Sequence, residues 1–329
     1  MKNRGHLSQF RLSRRDWIRS ATAISLFGGS VTRFGYVNAQ VRDTDDAPAI
    51  ATDQLSESAA VFHGPDANSL VVATPDGLVM VDSGHSDWSE GLLEAVSASF
   101  PERAFSTLIN THWHPEQTGS NAALGEQGVE IIAHENTRLW LGVEISQRWS
   151  GQVFAPLPEP GRPTTGLHGS TVRDIGGVTF ELNHLLHAHT DGDLSIYLPD
   201  DDILVTGGHV SANRWPVIDW WTGGWIGGML DGFDTLMQFV TPDTQIVPAH
   251  GPVMTMSELT TQHEMYLTIF DRLHSALRRA LSPDEAVAEA PAAEYEDKFG
   301  DSELFVRLAF ESMWGHLRDA HDRRMQNIP

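Results

Sequence analysis

The chain has 329 residues, 40% of them hydrophobic and 20% charged, a globular composition with enough apolar residues for a sizeable core. Collagen-like, coiled-coil and disordered architectures are excluded, and the absence of cysteine excludes a disulfide scaffold. Lysine and arginine total 22 against 44 acidic side chains, so the net field of −22 does not draw in nucleic acid or anionic lipid.

Residues 1–39 read as a twin-arginine export signal. Arg14 and Arg15 form the pair, and Val37-Asn38-Ala39 offers small residues to a signal peptidase. The apolar stretch between them, Ala21 to Val31, falls short of the roughly 20 residues that a bilayer span needs. The expectation is a periplasmic protein with no stable membrane anchor once the signal is cleaved. A cysteine-free chain suits that oxidising compartment.

Residues 40–58 read as a polar extension, residues 59–254 as one α/β domain and residues 255–329 as a helical extension packed on it. Strands are expected over residues 68–74 and 78–82, around the turn signal Pro75-Asp76-Gly77. A helix follows from Ser86, with Asp87 and Glu90 spaced as a capping box. Short strands at 107–110 and 131–133 precede a helix over 136–145. Residues 153–169 are rich in proline and glycine and read as a long loop. Strands return at 178–182, 194–198 and 203–206, then a helix over 229–240 and a last strand at 245–248. Beyond it the apolar spacing is helical, over 259–281 and again over 303–318.

The histidines cluster at strand ends. Thr111-His112-Trp113-His114-Pro115-Glu116-Gln117 follows one predicted strand, Ala188-His189-Thr190-Asp191-Gly192-Asp193 another, and Pro248-Ala249-His250-Gly251 a third. Loops gathering at one sheet edge are where α/β proteins build sites. An H-x-H pair on an extended segment points both imidazoles to one side, within reach of one ion at about 2.0–2.1 Å. A third histidine completes a catalytic zinc set whose open position holds water, with its pKa lowered to about 7. Without cysteine, thiolate sites are excluded.

Taken together, the segments VMVDSG, INTHWHPEQTGSN, AHTDGDLSIYLP and VPAHGP resemble, in order and in flanking residues, the motifs of the metallo-β-lactamase superfamily, nearest its cyclase-like branch. The resemblance implies an αββα sandwich carrying zinc at one edge. It places His112, His114 and His189 on a first metal site and His250 on a second. The second is degraded: Glu116 stands for the family's aspartate, Gln117 for its next histidine, and Gly208 for the bridging aspartate. One zinc ion is therefore expected.

Glu116 is the candidate general base. Gln117 is expected to hydrogen-bond rather than ligate, and Asp82 and Asp193 to orient ligand histidines. His209 and His85 are further candidate ligands. The loop over residues 213–225 carries Trp215, Trp220, Trp221 and Trp225, an aromatic wall for a substrate or else a packing or dimer surface. The function implied is an exported hydrolase of a small ester, lactone or amide, β-lactams included. The alternatives are a catalytically silent ligand- or metal-binding protein, and a cyclase or lyase on the same site.

Overall fold

Runs such as LVVAT and GLVMV are apolar at successive positions rather than alternate ones, the mark of strands covered on both faces. The computed structural model describes residues 50–326 and shows how they are covered. The expected export signal lies outside the described residues. In chain order the strands are β1 (Ala51–Gln54), β2 (Ala59–His63), β3 (Asn68–Thr74), β4 (Gly77–Val81), β5 (Phe105–Ile109), β6 (Glu130–His134), β7 (Ile145–Ser146), β8 (Val153–Phe154), β9 (Thr165–Leu167), β10 (Thr171–Ile175), β11 (Val178–Leu185), β12 (Asp193–Leu198), β13 (Ile203–Val205) and β14 (Gln245–Val247). The helices are α1 (Ser89–Ser99), α2 (Pro115–Thr118), α3 (Asn121–Gly125), α4 (Glu135–Trp140), α5 (Ile226–Leu236), α6 (Met256–Arg278), α7 (Pro283–Ala288), α8 (Glu296–Phe299) and α9 (Glu303–Gln326).

Two sheets face each other. The first runs β1-β2-β3-β4-β5-β6-β9 and the second β10-β11-β12-β13-β14, while β7 and β8 form a separate hairpin. The first is antiparallel through β4 and parallel from β4 to β9. Between the sheets Val61, Leu70, Val79 and Ile109 meet Phe180, Leu194, Ile196 and Val205. On the outer face of the first sheet, Phe62, Met80 and Leu108 pack on Leu92 and Val96 of α1. On the outer face of the second, Leu204 and Ile246 pack on α5, α6 and α9 through Phe233, Tyr266 and Phe310. Each fully buried Leu, Val or Phe contributes about 1.5–3 kcal/mol, so both sheets are fixed in this sandwich from both sides. The expected αββα architecture with a helical C-terminal region is the fold found. Among the described residues no helix is long and apolar enough to cross a membrane.

Several local expectations give way. Part of the polar extension is β1, whose four exposed residues pair antiparallel with β2 as an edge strand. The capping box of Asp87 and Glu90 does not form. Instead the His85 imidazole accepts the Asp87 N–H, and α1 starts only at Ser89. The helix expected over 136–145 is the six-residue α4, because Gly142 follows it and Ile145 enters the β7 hairpin. The long loop contains β8 and β9; β9 extends the parallel part of the first sheet.

Candidate metal centre

Strand ends bring the histidines together. β5 delivers residues 110–114, and Pro115 at the first position of α2 turns the chain away just past His114. The connection from β11 to β12 delivers His189, and the segment after β14 delivers His250.

Three imidazoles converge. His112 Nε2 lies 3.2 Å from His114 Nδ1 and 3.2 Å from His189 Nε2, and the latter two atoms are 3.0 Å apart. Tetrahedral ligands at about 2.0–2.1 Å from one ion sit about 3.3–3.4 Å apart. These three nitrogens are therefore spaced for a single ion. All three residues are buried.

Each outer ring nitrogen is committed elsewhere, which turns the inner lone pairs on one another. His112 Nδ1 donates to Thr111 Oγ1 at 2.9 Å, and that hydroxyl donates to Asp82 Oδ2 at 2.8 Å. His114 Nε2 donates to Asp219 Oδ2 at 3.3 Å. His189 Nδ1 donates to the Val217 carbonyl. Such partners fix tautomer and orientation in metal sites. Asp193 clamps the third loop by accepting the His189 and Thr190 N–H groups at 2.6 and 2.8 Å and the Thr190 hydroxyl at 2.6 Å.

The electrostatics ask for a cation. Burial, with the neighbouring rings, holds His112 and His189 well below the ordinary imidazole range. Burial also pulls His114 down, but the Asp219 carboxylate, with Glu116 and Asp193, outweighs it and raises its pKa. Burial pushes Asp82 up to about 8 and Asp193 up to about 7 against the hydrogen bonds that stabilise their charged forms. Two imidazoles held neutral, and a third set against the Asp219 carboxylate, suit a divalent metal ion.

The other half of the site is a cavity of about 140 Å³ opening beside His112 and His189. Glu116, Gln117, Gly208, Arg214, Trp215, Pro216, Val217 and His250 complete its wall. Glu116 Oε1 lies 3.8 Å from His114 Nδ1. Gln117 Oε1 and His250 Nδ1 are buried with no hydrogen-bond partner. A Cβ built on Gly208 would fall 2.5 Å from His189 Nε2 and 2.8 Å from His112 Cε1.

A model of the metallo-β-lactamase superfamily matches residues 64–288. The chain belongs to that superfamily. A type 2 metallo-β-lactamase from Bacillus sp. (strain 170) is 28% identical over 227 residues, which is 65% of this chain and 81% of that protein. A hydroxyacylglutathione hydrolase from Erythrobacter litoralis is 27% identical over 154 residues, 46% of this chain and 47% of that one. Against the latter relative, the matched region spans about half the length. Among solved structures, a metallo-β-lactamase from Pontibacter korlensis has a TM-score of 0.54 at 22% identity and covers 66% of this chain and 99% of its own. The sec-alkylsulfatase Pisa1 from Pseudomonas sp. has a TM-score of 0.61 at 15% identity, over 80% of this chain and half of its own.

Within this superfamily member the expected residues divide. His112, His114 and His189 meet, Glu116, Gln117 and His250 line the cavity, and Asp82 and Asp193 stand behind the ligands. His209 is not part of the three-histidine cluster. It lies in the 3-10 turn Gly207–His209 that follows β13, and its ring is fully buried against Phe233 at 4.7 Å. His85 lies outside the cluster and uses its Nδ1 to hold the Asp87 N–H. Of the four loop tryptophans only Trp215 reaches the cavity. Trp225 stacks on His316 at 3.9 Å, Trp220 packs on the helical core, and Trp221 lies on the surface under the Arg148 guanidinium at 3.9 Å. The C-terminal helices draw Trp220 and Trp225 away from the expected substrate wall.

That loop contributes to the site through atoms the sequence did not single out. Asp219 accepts from His114 and from the Thr222 hydroxyl at 2.6 Å, and Thr222 in turn accepts the Trp113 indole N–H at 3.1 Å. The Val217 carbonyl steers His189. Arg214, also not singled out, stands on the cavity wall. An aspartate and an arginine flanking a tryptophan cluster were the available signal, masked by the aromatics.

Proposed function

We propose that this protein is an exported, zinc-dependent hydrolase of small esters, lactones or amides that works with one ion. The observation that carries the reading is the His112–His114–His189 centre, with three inner nitrogens 3.0–3.2 Å apart and three outer nitrogens held by acceptors. A divalent ion bound there supplies Lewis acidity and a fixed positive charge. The chain's own groups do the rest. The cavity admits a small substrate and shields it from bulk water. Glu116, on the wall, orients a water and takes its proton at a carboxylate oxygen. Gly208, with no side chain, lets the His189 and His112 rings lie against its backbone, where a Cβ would collide with them.

Zinc is supported by the all-imidazole donor set, and a single ion by Gln117 and Gly208 in place of stronger ligands. Export is supported by the Arg14–Arg15 pair. Replacing both by lysine should leave precursor in the cytoplasm, and normal processing of that variant would refute export. The hydrolase itself is tested by turnover on a panel of esters, lactones and amides. Glu116→Gln should lower turnover about 10²–10⁴-fold with zinc retained. A native protein silent on the whole panel would instead make it a binding member of the superfamily.

A further inference from the structure

The C-terminal helices that draw Trp220 and Trp225 off the site do the opposite to Trp215, which they hold on the cavity wall. Its ring stacks on Phe305 at 4.5 Å and 18°, and packs on Phe299 at 5.0 Å and 37°. Its indole N–H donates to the Gly300 carbonyl at 2.8 Å. The stack fixes the plane of the indole, and the hydrogen bond fixes its rotation in that plane. Phe299 ends α8, Phe305 lies in the first turn of α9, and Gly300 joins them at a φ of 81°, which glycine adopts without strain. All three lie beyond residue 288, where the superfamily match ends.

Phe305 is not free to yield. It is buried and meets Tyr266 of α6 at 5.5 Å, and Tyr266 meets Phe233 of α5 at 5.0 Å. A column of rings thus backs the cavity wall through three helices, and a close-packed interior gives little under strain. Next to Trp215 the wall continues through Pro216, whose ring fixes its φ, and Val217, whose carbonyl is committed to His189 Nδ1. The space this wall leaves is about 140 Å³. A protein cavity of roughly 150 Å³ takes up benzene.

We propose that Phe299, Gly300 and Phe305 set the size limit of the substrate: acting through Trp215, they confine the cavity to one six-membered ring, or a group of that bulk, beside the histidine centre. Trp215 is the specificity-determining residue and Phe305 the positioning residue behind it. A fused two-ring group has to displace the indole, and with it the Phe305 stack and the Gly300 hydrogen bond. The inference names the bulk of the group that the hydrolase proposed above accepts. It rests on that reading for turnover, but not for binding.

The test is calorimetry on the zinc-loaded protein with benzohydroxamate and 2-naphthohydroxamate, which share a chelating group and differ by one fused ring. Native protein should bind benzohydroxamate about tenfold or more tightly than the naphthyl compound. Trp215→Leu and Phe305→Leu should each cut that preference to about threefold or less. Phe299→Leu should lower it in the same direction, and carries the comparison if Phe305→Leu does not fold. Zinc content and a thermal melt establish that each variant is loaded and folded. A general loss of stability lowers both affinities together, so the ratio isolates the wall. Phe310→Leu, a truncation of the same size elsewhere on α9, should keep the native ratio. Equal binding of the two hydroxamates by native protein, or no binding of benzohydroxamate, would overturn the proposal. A native ratio in Phe305→Leu and Phe299→Leu, or a ratio relaxed equally in Phe310→Leu, would refute the role of the helical segment. No turnover on any ester, lactone or amide would refute the hydrolase while leaving the hydroxamate result standing.

Discussion

The two halves of the site are built on opposite principles. In the half made by His112, His114 and His189, every outer ring nitrogen has an acceptor, and the acceptors are themselves hydrogen-bonded through Thr111, Thr222 and backbone. In the half made by Glu116, Gln117, Gly208 and His250, two buried polar atoms have no partner and one position has no side chain. Preorganisation towards a metal ion belongs to the first half only. The second is open space with acceptors and a cation on its rim, a arrangement suited to an organic ligand.

The largest way to break this contrast is within the first half. His114→Ala removes one of three ligand nitrogens and should lower zinc affinity by more than 10²-fold, measured by competition with a chromogenic chelator; His250→Ala should change it far less. Gly208→Asp comes next. It adds the family's carboxylate in the second half, yet its Cβ would collide with the His189 ring at 2.4 Å. The expected outcome is weaker binding of the first ion, not a gained second one, read by metal content. A second tight ion in Gly208→Asp would show that the histidine rings yield readily. Asp219→Asn keeps the shape and weakens the acceptor behind His114, so zinc affinity should fall about 10–100-fold. An unchanged affinity would remove Asp219 from the orienting set.

The smallest effect concerns the support of His189. α4 clasps the His189 loop through Asn136 Nδ2 to the Asp191 carbonyl at 3.0 Å, Thr137 Oγ1 to the Gly192 carbonyl at 2.9 Å and Trp140 Nε1 to Asp191 Oδ1 at 2.8 Å. The helix is capped by His134, whose Nδ1 accepts the Asn136 N–H and must be neutral to do so. Burial, then His184 and His168, lower its pKa from 6.5 to about 4. The unfolded chain thus binds more protons than the folded one between those values. Stability from this group is present above pH 6.5 and is lost as pH falls towards 4. Thermal melts of His134→Asn should show a shallower fall over that window. An identical pH profile would show that the cap does not titrate.

The sandwich was legible because its signals are local and repeated. Apolar runs bounded by Pro-Asp-Gly, the helical spacing after Gly251 and histidines at three strand ends each state their own place. The metal ligands were legible for the same reason, as His112 and His114 share one segment and His189 sits in a turn of its own. The boundaries failed where short-range chemistry had two solutions: His85 caps ahead of Asp87, and Gly142 ends α4 early. The aromatic wall failed for a tertiary reason. Trp220 and Trp225 are claimed by helices far along the chain, which no local pattern announces. Asp219 and Arg214 were hidden because a loop aspartate and a loop arginine look ordinary until the fold sets them beside His114 and His250.

Elemental analysis of the native protein after equilibrium dialysis against zinc tests the contrast between the halves most directly. One tightly held ion per chain is the expected result, with any second ion bound at least about tenfold more weakly, since imidazole and carboxylate ligands are lost from that half. Two ions of equal affinity would contradict it, because Glu116, Gln117 and His250 would then form a metal site in spite of Gly208 and Arg214.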